Sequence, residues 1–272
     1  MCPFFVYNGS MTIEELQKRL VFTPKDALKC FNNDKILTRY WIKKYCLRQK
    51  TIKRLRQMLY AVINPATGKI YADKFTIGSN IFDTSYLAYH SALEYHGLAN
   101  KEFDKVLVVN PKRFSPFIHD DITFEHTISY INIGVDTIEL PHIIRVTDLE
   151  RTIIDCIDQT EKAGGLEQLA IALFHVQKLD VDKLLKYLRA YNIMALWQKT
   201  AYLLENFNST LNIGKDFFDE CKKNVSKRII YFFNDGTFGK AFLNKTWNVI
   251  APRDFTFRQE RSFWQNEVAP SE

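Results

Sequence analysis

Long apolar runs, paired cysteines and leader-like segments are all missing from this chain of 272 residues. No run approaches the ~20 apolar residues that span a bilayer, and the first ten residues lack the basic start and apolar core of a signal peptide. The five cysteines show no CxxC spacing and no histidine at a zinc-ligand interval. We therefore expect a cytoplasmic protein with no membrane segment, whose thiols act as small core side chains.

The motifs of common enzyme classes are absent as well. The chain has no Walker loop, GxGxxG, GxSxG or HExxH pattern, and no strand carries the carboxylate-x-Lys signature of many nucleases. Residues 234–239 contain two glycines, but their pattern is that of a turn. His90 and His96 are six residues apart, so on one helix they would not share a metal-binding side. We expect no catalytic residue, no metal site and no cofactor.

Charge is unevenly distributed along the sequence. Residues 11–60 hold thirteen Lys and Arg against four Asp and Glu, a net charge of +9, whereas the rest of the chain has a net charge of −3. Such asymmetry is typical of a module that binds a polyanion, joined to a neutral or acidic domain. A solvated lysine-rich surface would give the same count, so charge alone does not decide between these interpretations.

Three short helices are predicted in this basic segment. Thr12 and Glu15 have the spacing of a capping box at the first helix. The second helix begins after Thr23, with Pro24 at its first position and Asp26 near its positive end. The third helix, at about residues 35–46, follows a polar turn.

The third helix has two distinct faces, and a β-hairpin follows it. Leu37, Trp41 and Tyr45 form a packing stripe, while basic residues recur at the same interval on another face. A helix that packs one side and offers a basic side suits the major groove of DNA, with the hairpin as a wing along the phosphates. The predicted DNA-binding residues are Lys35, Thr38, Arg39, Lys43, Lys44, Lys50, Lys53, Arg54 and Arg56.

The remaining sequence predicts a mixed domain of helices and strands. A helix is expected over residues 85–97, ended by Gly97, after a break at Gly78-Ser79-Asn80. Strands follow at 105–109, 122–125, 137–140 and 142–146, and helical hairpins occupy about 166–218, with strand-like pieces at 228–233 and 246–250.

Another capping box is predicted between the strands and the helical hairpins. Thr147 and Glu150 have capping-box spacing at the start of a helix, and Arg151 lies four residues before Asp155 as an ion pair. These four side chains could be taken for a catalytic cluster, but the spacing favours a structural motif.

Together these features predict an α+β fold, with an N-terminal winged helix-turn-helix followed by a mixed α/β domain that has a small sheet and helical hairpins. The predicted domains are a winged-helix DNA-binding domain at 11–82, a C-terminal domain at 83–255 and a flexible tail at 256–272.

Several segments, in order and spacing, resemble the AbiEi family of bacterial antitoxins and transcriptional regulators of type IV toxin–antitoxin systems. The matching segments are Val21–Leu28, Ile52–Val62, Tyr89–Leu98, Val146–Asp155 and Gly164–Leu166. Met58 departs from the pattern, since the family usually has glycine before the Leu-Tyr pair. The resemblance implies a repressor of its own operon, binding double-stranded operator DNA that can contain inverted repeats. It also implies an antitoxin that counters a nucleotidyltransferase-like toxin, without a need for direct binding.

Two other functions remain open from the sequence. One is a DNA-directed nuclease that the basic module delivers to its substrate. The other is an interaction protein whose basic face binds an acidic partner.

Overall fold

The computed structural model describes residues 12–139, 142–232 and 241–252. It shows a mixed α+β fold, as predicted. The chain divides into two compact units, Met1–Cys156 and Ile157–Glu272. Within the described ranges, no helix is both long and apolar enough to cross a membrane. The predicted turn at 234–239 and the predicted tail at 256–272 lie outside these ranges, as does residue 11 at the start of the first predicted domain.

The first unit contains the three predicted helices, and the two caps predicted for them, at Thr12 and Thr23, form as expected. Thr12 accepts a hydrogen bond from the Glu15 backbone N–H, while the Glu15 carboxylate accepts one from the Thr12 N–H. Thr23 and Asp26 form a second capping box, with Pro24 at the first helical position. The helices are α1 (Ile13–Lys18), α2 (Pro24–Cys30) and α3 (Lys35–Lys43), and α3 continues as a π-helical turn over Lys44–Arg48.

A three-stranded antiparallel sheet accompanies these helices. It consists of β1 (Val21–Phe22), β2 (Ile52–Arg56) and β3 (Leu59–Val62) in the order β1-β3-β2. The β2–β3 hairpin turns at Gln57 and Met58, and the register shifts between Arg54 and Arg56. Met58 has φ of 64°, the left-handed conformation that favours glycine.

A six-stranded mixed sheet completes the first unit, with short helices α4 (Lys74–Ser79) and α5 (His90–Tyr95). The strand order is β6-β7-β5-β4-β9-β8, in which β4 lies between β5 and β9. The strands are β4 (Tyr86–Leu87), β5 (Lys105–Val109), β6 (Phe117–His119), β7 (Ile122–Thr127), β8 (Val135–Ile138) and β9 (Ile144–Thr147).

Two predicted boundaries in this region are wrong. Residues 85–89 are not helical, because Tyr86 and Leu87 pair with Val109, Val108 and Val146 inside the sheet, and the helix begins only at His90. The predicted break at residues 78–80 begins only at Asn80, because Gly78 and Ser79 belong to α4 and Asn80 is its C-cap. The predicted end at Gly97 is confirmed: its φ is 71°, and its N–H donates to the Glu94 carbonyl.

The two sheets of the first unit share one hydrophobic core. Val21, Leu59 and Ala61 from the three-stranded sheet are buried together with residues of the six-stranded sheet. The sheet residues in this core include Leu87, Val106, Val108, Phe124 and Val146. A second core, under α1–α3, contains Leu16, Phe22, Phe31, Trp41 and Ile52. The hairpin face that carries Leu59 and Ala61 is therefore anchored against the larger sheet.

The helix α6 (Leu149–Asp158) passes from the first unit into the second. Helices then dominate, as predicted, and a small sheet in the order β10-β12-β11 follows. The helices are α7 (Leu166–His175), α8 (Val181–Tyr191), α9 (Met194–Asn206), α10 (Asn208–Leu211) and α11 (Lys215–Lys223). The strands are β10 (Ile230–Tyr231), β11 (Ala241–Asn244) and β12 (Val249–Pro252).

Candidate nucleic-acid interface

The helix α3 presents three predicted basic residues to solvent. Asp34 caps its N-terminus by accepting hydrogen bonds from the backbone N–H groups of Ile36 (2.8 Å) and Leu37 (2.9 Å). Lys35, Arg39 and Lys43 are all exposed, and their four-residue spacing places them along one side of the helix. Trp41 on another side is buried against Phe22 and Phe31. The predicted division into a packed side and a basic side is therefore present.

Thr38 does not belong to this exposed surface, contrary to the prediction. Its side chain is 3% exposed, and its hydroxyl donates a hydrogen bond to the Asp34 carbonyl at 2.6 Å. Threonine in a helix often bonds back to the preceding turn in this way. Its position between Leu37 and Trp41 directs it inward, so it is unavailable to a ligand at the basic side.

Two large apolar side chains, Ile36 and Tyr40, lie on the exposed surface and were missed by the sequence analysis. Ile36 is 82% exposed and Tyr40 57% exposed. Each immediately precedes a residue of the packing stripe, Leu37 or Trp41, and so is rotated about 100° from it. The sequence did contain a signal for them. Ile36 and Tyr40 are also four residues apart, and since Leu37 and Trp41 already form the packed side, these two side chains must point in another direction.

The residues after α3 extend the basic surface unevenly. Lys44 is half-buried, with its ammonium 5.8 Å from the centre of the Tyr45 ring. Arg48 and Lys50 are exposed, and the Thr51 N–H donates to the Tyr45 carbonyl (3.0 Å), which ties the start of β2 to this helical end.

The hairpin contributes two exposed cations rather than the three predicted. Lys53 and Arg54 are exposed. The Arg56 side chain instead lies among three aromatic rings, with its guanidinium carbon 5.2 Å from the centre of Phe114, 5.5 Å from Phe117 and 5.9 Å from Phe82. Burial lowers the pKa of Arg56. Arg56 therefore packs the hairpin against the larger sheet and is removed from the predicted phosphate contacts.

The predicted motif at 147–155 lies away from this surface in sequence and is structural. The cap of α6 is Asp148, whose carboxylate accepts a hydrogen bond from the Arg151 N–H at 2.8 Å. Thr147 was predicted as the cap, but it ends β9 and its hydroxyl is hydrogen-bonded to that of Thr152 (2.7 Å). Glu150 is therefore the second helical residue and does not occupy the predicted capping-box position; it is buried.

The predicted pair between Arg151 and Asp155 is confirmed. Their side chains are fully buried, and Arg151 Nε donates to Asp155 Oδ1 at 2.5 Å. The remaining guanidinium nitrogens of Arg151 bond to the Ser129 hydroxyl and to the carbonyls of Ile131 and Ile133. Arg151 thus holds α6 to the segment between β7 and β8, and these contacts stabilise the fold.

The two histidines considered from the sequence occupy separate environments. His90 is buried and stacks on Phe103, with ring centres 4.4 Å apart, and burial lowers its pKa to about 4. His96 Nε2 lies 2.8 Å from the Thr147 carbonyl oxygen. Among the residues that the structure describes, no cluster of three or more His, Cys, Asp or Glu side chains is placed to hold a metal ion.

Comparison with known proteins identifies a similar fold and gives no information about the candidate site. The chain is similar in structure to the Rv2827c protein from Mycobacterium tuberculosis, with a TM-score of 0.59 over 85% of this chain and 86% of that chain. The two sequences are 12% identical, so the similarity shows a shared fold alone. No model of a known protein family matches the chain, and no curated protein sequence matches it.

Proposed function

We propose that this chain binds double-stranded DNA, and that α3 is the recognition helix of a winged helix-turn-helix. The observation that carries the proposal is the exposure of Lys35, Arg39 and Lys43 along one side of a helix that packs Trp41 on another. A helix anchored on one side can enter the major groove with the other. The order of three helices and a three-stranded sheet ending in a hairpin fits that assignment.

The hairpin acts as the wing in this proposal, with a smaller role than its sequence predicts. Lys53 and Arg54 are available to phosphates, whereas Arg56 is held by aromatic rings. Phosphate contacts position a protein on the duplex and carry little sequence information. Sequence reading therefore belongs to α3.

The binding test uses the whole chain and a fluorescent duplex from the region upstream of its own gene. Arg39→Ala combined with Lys43→Ala should weaken binding by at least about ten-fold, the loss expected for one or two groove contacts. Lys178→Ala combined with Lys186→Ala is the matched control, because these exposed lysines lie in the second unit and their loss removes the same charge. Equal losses for both pairs would contradict a role for α3.

We propose further that the chain represses its own operon and counters a nucleotidyltransferase-like toxin in the cytoplasm. This part of the proposal is supported by the resemblance to AbiEi proteins. A reporter fused to the upstream region should be repressed by the wild-type chain and released by the Arg39 and Lys43 variants. Expression of the chain should also restore growth to cells that carry a neighbouring toxin gene, and unrelieved toxicity would remove the antitoxin role.

The proposed activity is binding and not catalysis. Asp148 caps α6, and Asp155 on the same helix is buried and paired with Arg151, so these two carboxylates do not converge on an exposed site. Plasmid incubated with the protein and Mg²⁺ should therefore remain intact. Cleavage that disappears in an Asp155→Asn variant that still folds would favour the nuclease alternative, although loss of the buried pair should lower its melting temperature.

A further inference from the structure

The helix α3 exposes two large apolar side chains, and the phosphate contacts of its basic residues do not account for their exposure. Ile36 is 82% exposed and Tyr40 57% exposed, so both side chains leave apolar surface in contact with water, and burying it against a partner would be favourable. They are one helical turn apart, on the same side of the helix. Ile36 is the second residue of α3 and lies near the end that a recognition helix directs at the base edges.

The charges around Ile36 and Tyr40 select the kind of partner. Lys35, Arg39 and Lys43 alternate with them in sequence and are exposed on the same helix. The carboxylate nearest in sequence, Asp34, is engaged by backbone N–H groups at the cap. A surface that carries both cations and apolar side chains suits a partner that has negative charges at its edges and apolar groups between them.

The major groove of DNA has that character. Its walls are phosphates, and its floor carries one apolar substituent, the C5-methyl group of thymine. An isoleucine side chain can bury that methyl, and a tyrosine ring can contact one with its edge while its hydroxyl reaches a hydrogen-bonding partner.

We propose that Ile36 and Tyr40 read thymine methyl groups in the sequence that this protein recognises. The inference rests on the proposed binding of DNA by α3 and deepens it by assigning the chemistry of base selection. Arg39 and Lys43 then supply charge and hydrogen bonds, while Ile36 and Tyr40 restrict particular positions to A·T pairs with thymine methyls on the contacted side.

The experiment first obtains a binding sequence by selection from random duplexes. The whole chain selects from a pool whose randomised core is roughly 20 base pairs long, about two helical turns. Each thymine of the consensus is then replaced in turn by 2′-deoxyuridine, which pairs identically with adenine and lacks only the methyl group. Affinities are measured for the wild-type chain and for Ile36→Ala, Tyr40→Ala and Ile118→Ala.

The wild-type chain should lose about three- to six-fold in affinity at one or more thymine positions, the effect of one buried methyl group. Ile36→Ala or Tyr40→Ala should bind the thymine and uracil duplexes at such a position with nearly equal affinity. Ile118→Ala is the matched control, because Ile118 is also exposed (69%) but lies on β6, and it should keep the wild-type loss.

Three results would overturn the inference while leaving DNA binding intact. They are a selection that yields no consensus, a consensus insensitive to uracil, and a uracil loss that persists in both α3 variants. A chain that binds no duplex even at low salt would overturn the proposed function itself, and the inference with it. Both α3 positions are exposed, so melting temperatures should stay close to the wild-type value and separate loss of contact from loss of fold.

Discussion

At the scale of single residues, two arginines two positions apart in β2 have different environments. Arg54 is exposed and its Nε donates to the Arg56 carbonyl at 3.3 Å. Arg56 is half-buried among Phe82, Phe114 and Phe117. The difference arises from the register shift in the hairpin between these two residues, which their sequence spacing does not reveal.

Arg56→Ala should therefore lower stability, unlike Arg54→Ala. Loss of the cation–π contacts and of the packed side-chain stem should cost about 1–2 kcal/mol. The free energy of unfolding, measured with urea, should stay within about 0.5 kcal/mol of the wild-type value for Arg54→Ala. Equal stability for the two variants would show that the aromatic contacts of Arg56 contribute little.

His90 predicts a dependence of stability on pH. Burial, followed by the charges of Lys105 and Lys74, lowers the pKa of His90 to about 4, whereas an unfolded histidine titrates near ~6.5. Between these two pKa values the unfolded chain binds the proton and the folded chain does not, so stability falls as the pH drops from ~6.5 towards about 4 and levels off below that. The loss attributable to His90 should approach about 3 kcal/mol.

Urea unfolding of the wild-type chain and of His90→Gln between neutral pH and pH ~4 measures that contribution. The wild-type free energy should fall more steeply across this window, because glutamine does not titrate. Parallel curves for the two proteins would show that His90 is not held neutral by the fold.

At the scale of elements, the helices with local start signals were the most predictable. The caps at Thr12 and Thr23 depend on residues three positions apart, so the sequence contains the whole interaction. The same reasoning failed at Thr147, where Asp148 one position later also has a capping side chain. The end of β9 keeps Thr147 in the sheet, and that constraint comes from pairing with Val135.

Elements whose position depends on pairing with strands far away in the sequence could not be predicted from local patterns. The strand β4 has two residues, and its position depends on pairing with β5 and β9. The candidate site shows the same difference between local and distant signals. The four-residue spacing predicted that Lys35, Arg39 and Lys43 share one side of a helix. The burial of Arg56 was not predictable, because it depends on aromatic rings at residues 82–117. Thr38 was included for its place near the N-terminal end of the helix, but its side chain is buried.

Close contact between α4 and the six-stranded sheet gives a prediction at this scale. A Cβ atom at Gly78 would lie 2.9 Å from Leu87 Cδ2 and 2.9 Å from Val106 Cγ1. Gly78→Ala should therefore destabilise the chain by about 1–3 kcal/mol through overpacking. Combining it with Val106→Ala should give a smaller total loss than the two single losses added together, since the second change makes room. If the loss in the double variant equals the sum of the two single losses, α4 must move to accommodate the added methyl group without help from Val106→Ala.

At the scale of the whole molecule, charge and packing divide the chain at different places. The excess positive charge ends near residue 60, whereas the compact units divide between Cys156 and Ile157. The sequence predicted a domain boundary between residues 82 and 83. A cut there would expose the core in which Leu59 and Ala61 meet Val106 and Phe124, so DNA binding is best tested on the intact chain.

The proposed binding of duplex DNA through α3 is tested most directly by the salt dependence of affinity. Between about 50 and 200 mM salt, the logarithm of the wild-type binding constant should fall steeply and linearly with the logarithm of salt concentration. Arg39→Ala with Lys43→Ala should reduce that slope by about one to two units, because fewer counterions are released. The Lys178→Ala and Lys186→Ala control should retain the wild-type slope. A slope near zero, or one unchanged by the α3 pair, would contradict the proposal.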